Sequence, residues 1–162
     1  MNKARVIVGI SGASGAALAV RTVERLAEIP AVETHLIVSN AARRTLLHEV
    51  GPDALHRLLM LADRNYPAED IGAAPASGSF PTTGMIVIPC SMRTLGAIAA
   101  GLADNLLVRA ADVHLKERRR LVLMTRETPL NLAHLRNDRR HRNGRHRDAA
   151  DPRLLSLSED HR

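Results

Sequence analysis

The chain has 162 residues, 45% of them hydrophobic and 25% charged, with a formal net charge of +6, which suits one folded domain with a real core. A single cysteine, Cys90, excludes an internal disulfide and fits a reducing, cytoplasmic setting, and no stretch approaches the roughly 20 apolar residues of a membrane span. Tyr66 and Phe80 are the only aromatic residues, so the core is aliphatic and the stacking platforms of single-strand nucleic-acid binders are missing.

In chain order, ARVIVGI (4–10) is β-branched and apolar throughout, the pattern of a strand buried on both faces of a parallel sheet. It enters that strand where a signal peptide would stand. SGAALAVRTVERLAEI (14–29) has helical apolar spacing, and Pro30 closes it. VETHLIVS (32–39) is predicted as a second strand and NAARRTLLHEV (40–50) as a second helix, with a further helical turn or two at 53–62. A loop rich in Pro, Gly, Ala and Ser follows over 67–84. GMIVIPC (84–90) is the third predicted strand, and SMRTLGAIAAGLA (91–103) opens a helix on a cap-forming serine. Helical character continues over 105–117, RLVLMT (120–125) is the fourth strand, and Pro129 allows a new helix at LNLAHLR. Strands alternating with helices predict an α/β, doubly wound parallel sheet in three layers. Ligands of such sheets collect beyond the carboxyl ends of the strands, where four polar junctions fall: 11–14, 39–40, 90–94 and RETP at 126–129.

Each junction has two readings. GISGASG (9–15) is either a tight turn or an anion cradle, with hydroxyls at Ser11 and Ser14 and free N–H groups in the first helical turn. It matches neither the dinucleotide fingerprint nor a Walker loop. PCSMRT (89–94) repeats the logic: Ser91 and Thr94 offer hydroxyls, and Arg93 offers a cation for an anion. Ser39 reads as a cap first and a ligand second. Cys90 reads as strand-end packing, since no partner that would lower its pKa can be identified. Glu49 reads from spacing as a surface carboxylate near Arg43 and Arg44, with a proton-transfer role as the alternative. KERRR (116–120) reads as a solvated helix end. His48, His56 and His114 lack metal-ligand spacing, so no metal is expected.

Together, VGISGASGA, VETHLIVS, SGSF, GMIVIPCSMRTL, RAADVHLKERRRLVLMTRETPL and HLRN resemble the flavin prenyltransferase family, almost without a gap from Val6 to Asn137. The resemblance implies a flavodoxin-like, Rossmann-like domain, FMN as ligand, no metal, and a homo-oligomer that is a dodecamer in the family. It implies transfer of a dimethylallyl group from dimethylallyl phosphate to flavin N5 and C6. The prenylated FMN then serves a partner decarboxylase in ubiquinone synthesis or aromatic-acid decarboxylation. Residue by residue it places FMN against Gly12, Ala13 and Ser14, then Ser39, then Ser91, Met92, Arg93 and Thr94, and Arg126. Ser14, Glu49 and Arg126 carry the catalytic roles, with Arg126 as the cation for the leaving phosphate.

The resemblance stops after Asn137. Residues 137–162 hold seven arginines and three of the eight histidines, so the domain is expected to span 1–136 and to be followed by a disordered polar tail. The family's closing strand and helix, with the tyrosine and basic residue that hold the prenyl phosphate, are absent from it. A change of reading frame accounts for this: with suitable synonymous codons, residues 138–161 read one base later become TAVTEMGGIVMPPIPAFYLSAKT, an ending of the family's kind. A natural basic extension that binds nucleic acid is the alternative. The chain as written is expected to have weak or no transferase activity and to bind FMN poorly. Two other functions stand beside this one: a flavoprotein that decarboxylates a cysteine, and a non-enzymatic binding protein acting through its basic tail.

Overall fold

The computed structural model describes residues 3–142. Five strands, β1 (Ala4–Ile10), β2 (Val32–Val38), β3 (Arg64–Pro67), β4 (Gly84–Cys90) and β5 (Arg120–Thr125), form one sheet in the order β3-β2-β1-β4-β5. Every pairing is parallel. Helices α1 (Ala16–Ala27), α2 (Asn40–Glu49), α3 (Ala54–Leu61), α4 (Met92–Ala100), α5 (Leu106–Lys116) and α6 (Leu132–Arg142) complete the domain. This is the expected flavodoxin-like, doubly wound sandwich.

Strand alternation sorts the core into two layers. Ile7, Ile37, Val87 and Leu123 point to the α4–α5 side, while Val8, Ile10, Leu36 and Val38 point to the α1–α3 side. All eight are buried, so both faces of the sheet are dry and its strands read as unbroken apolar runs. The chain winds outward from β1 through β2 to β3, then returns to place β4 on β1's other side. The switch point therefore lies between β1 and β4, where ligands of this fold bind.

Three details depart from the sequence reading. β3 was not anticipated: it falls between the helical turns expected at 53–62 and the loop expected over 67–84, with only Pro67 inside that loop. Its four residues, RNYP, carry one large apolar side chain and a proline, which suits only an edge strand. KERRR is not a plain solvated end: Arg118 has a φ of 54°, and half-buried Arg119 donates to the carbonyls of Phe80 and Gly78. Finally, α6 runs from residue 132 to 142, across the expected boundary at 136. The expected disorder and altered frame of the tail concern residues that lie, from 143 onward, outside the described residues.

His114 and Arg119, near the amino end of the sheet, make their hydrogen bonds within the protein, whereas the buried Thr34 hydroxyl in β2 has no hydrogen-bond partner among the described residues. His114, fully buried, contacts the Ala110 carbonyl through Nδ1 (2.7 Å) and the Thr82 hydroxyl through Nε2 (2.8 Å). A carbonyl only accepts, so Nδ1 carries the proton, and the Thr82 hydroxyl is the partner of Nε2. Both aromatic residues meet buried His35. Tyr66 stacks on it, its hydroxyl 2.9 Å from Nδ1, and Phe80 meets it edge-on beneath the Arg5 guanidinium.

Candidate functional site

At the carboxyl edge, the corners after β1, β4 and β5 enclose a cleft of about 320 Å³, lined by Gly12, Ala13 and Ser14, by Ser91 and Met92, and by Arg126, Glu127 and Thr128. That volume is at the lower end for small-molecule pockets.

The β1 corner owes its shape to two glycines. Gly15, the residue before α1, has a φ of 110° that L side chains rarely adopt. Gly12 has a different reason: a Cβ there would stand 2.4 Å from the Cβ of Ala41, so the first turn of α2 can pack against the corner only over a glycine. Between them, the N–H groups of Gly12, Ala13 and Ser14 find no acceptor among the described residues. The first turn of α1 is different. Glu49 Oε2 accepts from the N–H groups of Gly15 (2.9 Å) and Ala16 (2.8 Å). The expectation that this turn is free for a phosphate is therefore corrected: a carboxylate from the end of α2 already holds it.

Glu49 is thus more than the surface carboxylate that its spacing suggested. Its partial burial opposes ionisation. The two backbone donors, the Ser14 hydroxyl and the charge of Arg126 outweigh this and hold the carboxyl below the usual glutamate range. Glu49 is therefore an anion at neutral pH, an acceptor of protons.

The β4 corner uses Ser91 as the cap of α4. Its Oγ accepts from Thr94 N–H (3.2 Å) and donates to Thr94 Oγ1 (3.0 Å). The N–H groups of Met92 and Arg93 precede the helical ladder and find no acceptor among the described residues. They add two donors to the three from the β1 corner, at the amino end of a helix dipole. The β5 corner is tied in through Arg126 N–H to the Cys90 carbonyl (3.3 Å), and Arg126 brings the cation.

The structure gathers Gly12, Ala13, Ser14, Ser91, Met92 and Arg126 at the cleft, with Glu49 beside it. It does not bring the side chains of Ser39, Arg93 and Thr94 to the lining. Ser39 Oγ accepts from Ala42 N–H (3.1 Å) as the cap of α2. The Arg93 guanidinium pairs with Asp104 instead of facing the cleft. Thr94 is buried behind Ser91. Cys90 is fully buried, in keeping with packing. Glu127 and Thr128 line the cleft but were passed over in the sequence, although RETP had already marked their corner. Among the described residues, no group of three His, Cys, Asp or Glu is placed to hold a metal, and no helix is long and apolar enough to cross a membrane.

A sequence profile of the Flavoprotein family matches residues 1–142. The chain belongs to the Flavoprotein family. Within it, the chain is 57% identical over 136 residues to the flavin prenyltransferase UbiX of Neisseria meningitidis serogroup B, covering 84% of this chain and 71% of that one. Among solved structures it superposes on a dodecameric FMN-dependent Ubix-like decarboxylase from Escherichia coli O157:H7, with a TM-score of 0.86 and 47% identity over 89% of this chain and 78% of that one. It superposes equally on AnUbiX (PadA1) in complex with FMN and dimethylallyl pyrophosphate, with a TM-score of 0.84 and 43% identity, covering 91% and 77%. Both superpositions show the same fold as this chain.

Proposed function

We propose that this chain is a flavin prenyltransferase, binding FMN at the carboxyl edge and moving a dimethylallyl group onto it from dimethylallyl phosphate. The observation that carries the reading is that four residues with open backbone donors, Gly12, Ala13, Ser14 and Met92, line a cleft that also holds Arg126, with the open N–H of Arg93 next in the chain. Such a set suits the oxygens of a flavin nucleotide.

When bound, the flavin supplies the ring nitrogen and carbon, N5 and C6, that receive the dimethylallyl group. Breaking the allylic C–O bond leaves negative charge on phosphate, which the Arg126 guanidinium stabilises. With the flavin reduced, so that N5 is a nucleophile, closing the second bond at C6 would take up one proton at the prenyl double bond and release one from C6, and ionised Glu49, backed by the Ser14 hydroxyl, would carry that proton. Ser39, Arg93 and Thr94 act from behind: the two hydroxyl residues cap or pack at the starts of α2 and α4, and Arg93 contributes its N–H.

The product's consumer is, in this reading, a decarboxylase that uses prenylated FMN. The buried thiol Cys90 suits cytoplasmic work. Self-assembly is supported by the dodecameric assembly of the Escherichia coli protein on which this chain superposes.

The test is to incubate the protein anaerobically with dithionite-reduced FMN and dimethylallyl phosphate and to weigh the flavin by mass spectrometry. A gain of one prenyl unit supports the reading. Bound but unmodified flavin contradicts it and returns the question to cysteine decarboxylation, assayed with a peptide ending in cysteine.

A further inference from the structure

We propose that Ser11 is the positioning residue of this site: its buried hydroxyl clamps the β1 corner to the β4 corner, so that the open N–H groups of both face one ligand. The inference deepens the FMN reading and rests on it. Regular pairing between β1 and β4 extends only from Val6–Gly84 to Gly9–Val87. The corners that carry the donors lie beyond the end of that ladder, so something else must hold them together. Ser11, 2% exposed, does so three times: its Oγ donates to the Pro89 carbonyl (2.8 Å) and accepts from Ser91 N–H (2.7 Å), and its own N–H reaches the Pro89 carbonyl (3.2 Å).

Ser11 does not line the cleft, so it is no ligand, despite being a hydroxyl in the cradle motif. What it controls is spacing. Gly12 follows it on one side, and Ser91, whose N–H it accepts, begins the turn that holds Met92 and Arg93 on the other. A hydroxyl is needed because a single atom must donate to a carbonyl and accept from an amide, which no apolar side chain can do. Without it the Ser91 N–H loses its acceptor, and the distance between the two donor sets is no longer fixed.

The test compares the wild type with Ser11→Ala and Ser11→Thr in two readouts: FMN affinity by fluorescence quenching, and amide hydrogen exchange in the ligand-free protein. Ser11→Ala is expected to weaken FMN binding about tenfold and to speed exchange about tenfold at the Ser11 and Ser91 N–H groups, the two amides that the clamp engages, leaving 78–82 unchanged. Ser11→Thr, which keeps the oxygen and its proton, is expected to restore both to within about twofold of wild type. Wild-type affinity and exchange in Ser11→Ala would overturn the proposal, as would acceleration spread evenly through the sheet. Should Ser11→Ala not fold, Ser11→Cys, close in size but a poor acceptor, takes its place with the same expectations. Failure of both to fold would overturn a positioning role in favour of one in folding alone. If the wild type itself does not bind FMN, the functional reading fails separately, and the exchange arm still decides whether Ser11 holds the corners.

Discussion

At the amino end of the sheet, Arg119 spends its guanidinium on the carbonyls of Phe80 and Gly78, and His114 spends both ring nitrogens on Ala110 and Thr82. At the carboxyl end, five N–H groups around the switch point are left open, and the side chains nearby serve to keep them so. Glu49 seals the one helix start that would compete, and Ser11 and Ser91 fix the corners. The bonds at the first end tie the scaffold together, and the open N–H groups at the other, solvent-exposed at Gly12, Ser14 and Arg93, are the donors that the proposed ligand would meet.

Four substitutions sharpen this contrast. Arg126→Ala should have the largest effect, lowering kcat/KM for prenyl transfer about 100-fold by removing the cation at the leaving phosphate, with thermal stability almost unchanged. Steady-state kinetics and a melting curve check both halves. Arg119→Ala should do the reverse. It leaves two carbonyls of the loop before β4 without their donor and costs about 2 kcal/mol in denaturant unfolding, while the folded protein keeps wild-type FMN affinity. A loss of affinity there would break the division between the ends.

Glu49→Gln should cost about 1 kcal/mol at neutral pH, the scale of an anion at a helix start. The sign of its pH dependence follows from the lowered carboxyl pKa. The stabilisation is complete above the ordinary glutamate value and is lost as pH falls through the folded one, so the two melting curves should converge in acid. A gap that stays constant would show that the charge is not involved. Arg93→Ala should matter least. Its exposed pair with Asp104 is worth under about 0.5 kcal/mol, and FMN affinity should stay within about twofold because its backbone N–H remains.

Much of this was legible beforehand where the information is local. Four strands showed as apolar runs because both sheet faces are covered, and the caps at Ser39 and Ser91 showed because the residue that caps stands next to the helix it starts. What escaped was long-range or weakly patterned. β3 is short, polar and carries a proline. Glu49 meets Gly15 across 34 residues, and Ser11 meets Ser91 across 80, distances over which spacing carries no signal. The cradle motif correctly marked a place of open N–H groups. It misplaced them by one turn, because the carboxylate that fills the start of α1 belongs to another helix. Arg93 looked available for the same reason: Asp104 lies in the loop after α4.

The most direct test of the central claim is amide hydrogen exchange of the whole protein with and without FMN. The account predicts protection at 12–14 and 92–93 on adding FMN, and no change at 78–83, where every polar group named here is already engaged. Protection confined to 78–83, or none at the carboxyl edge under saturating FMN, would contradict it.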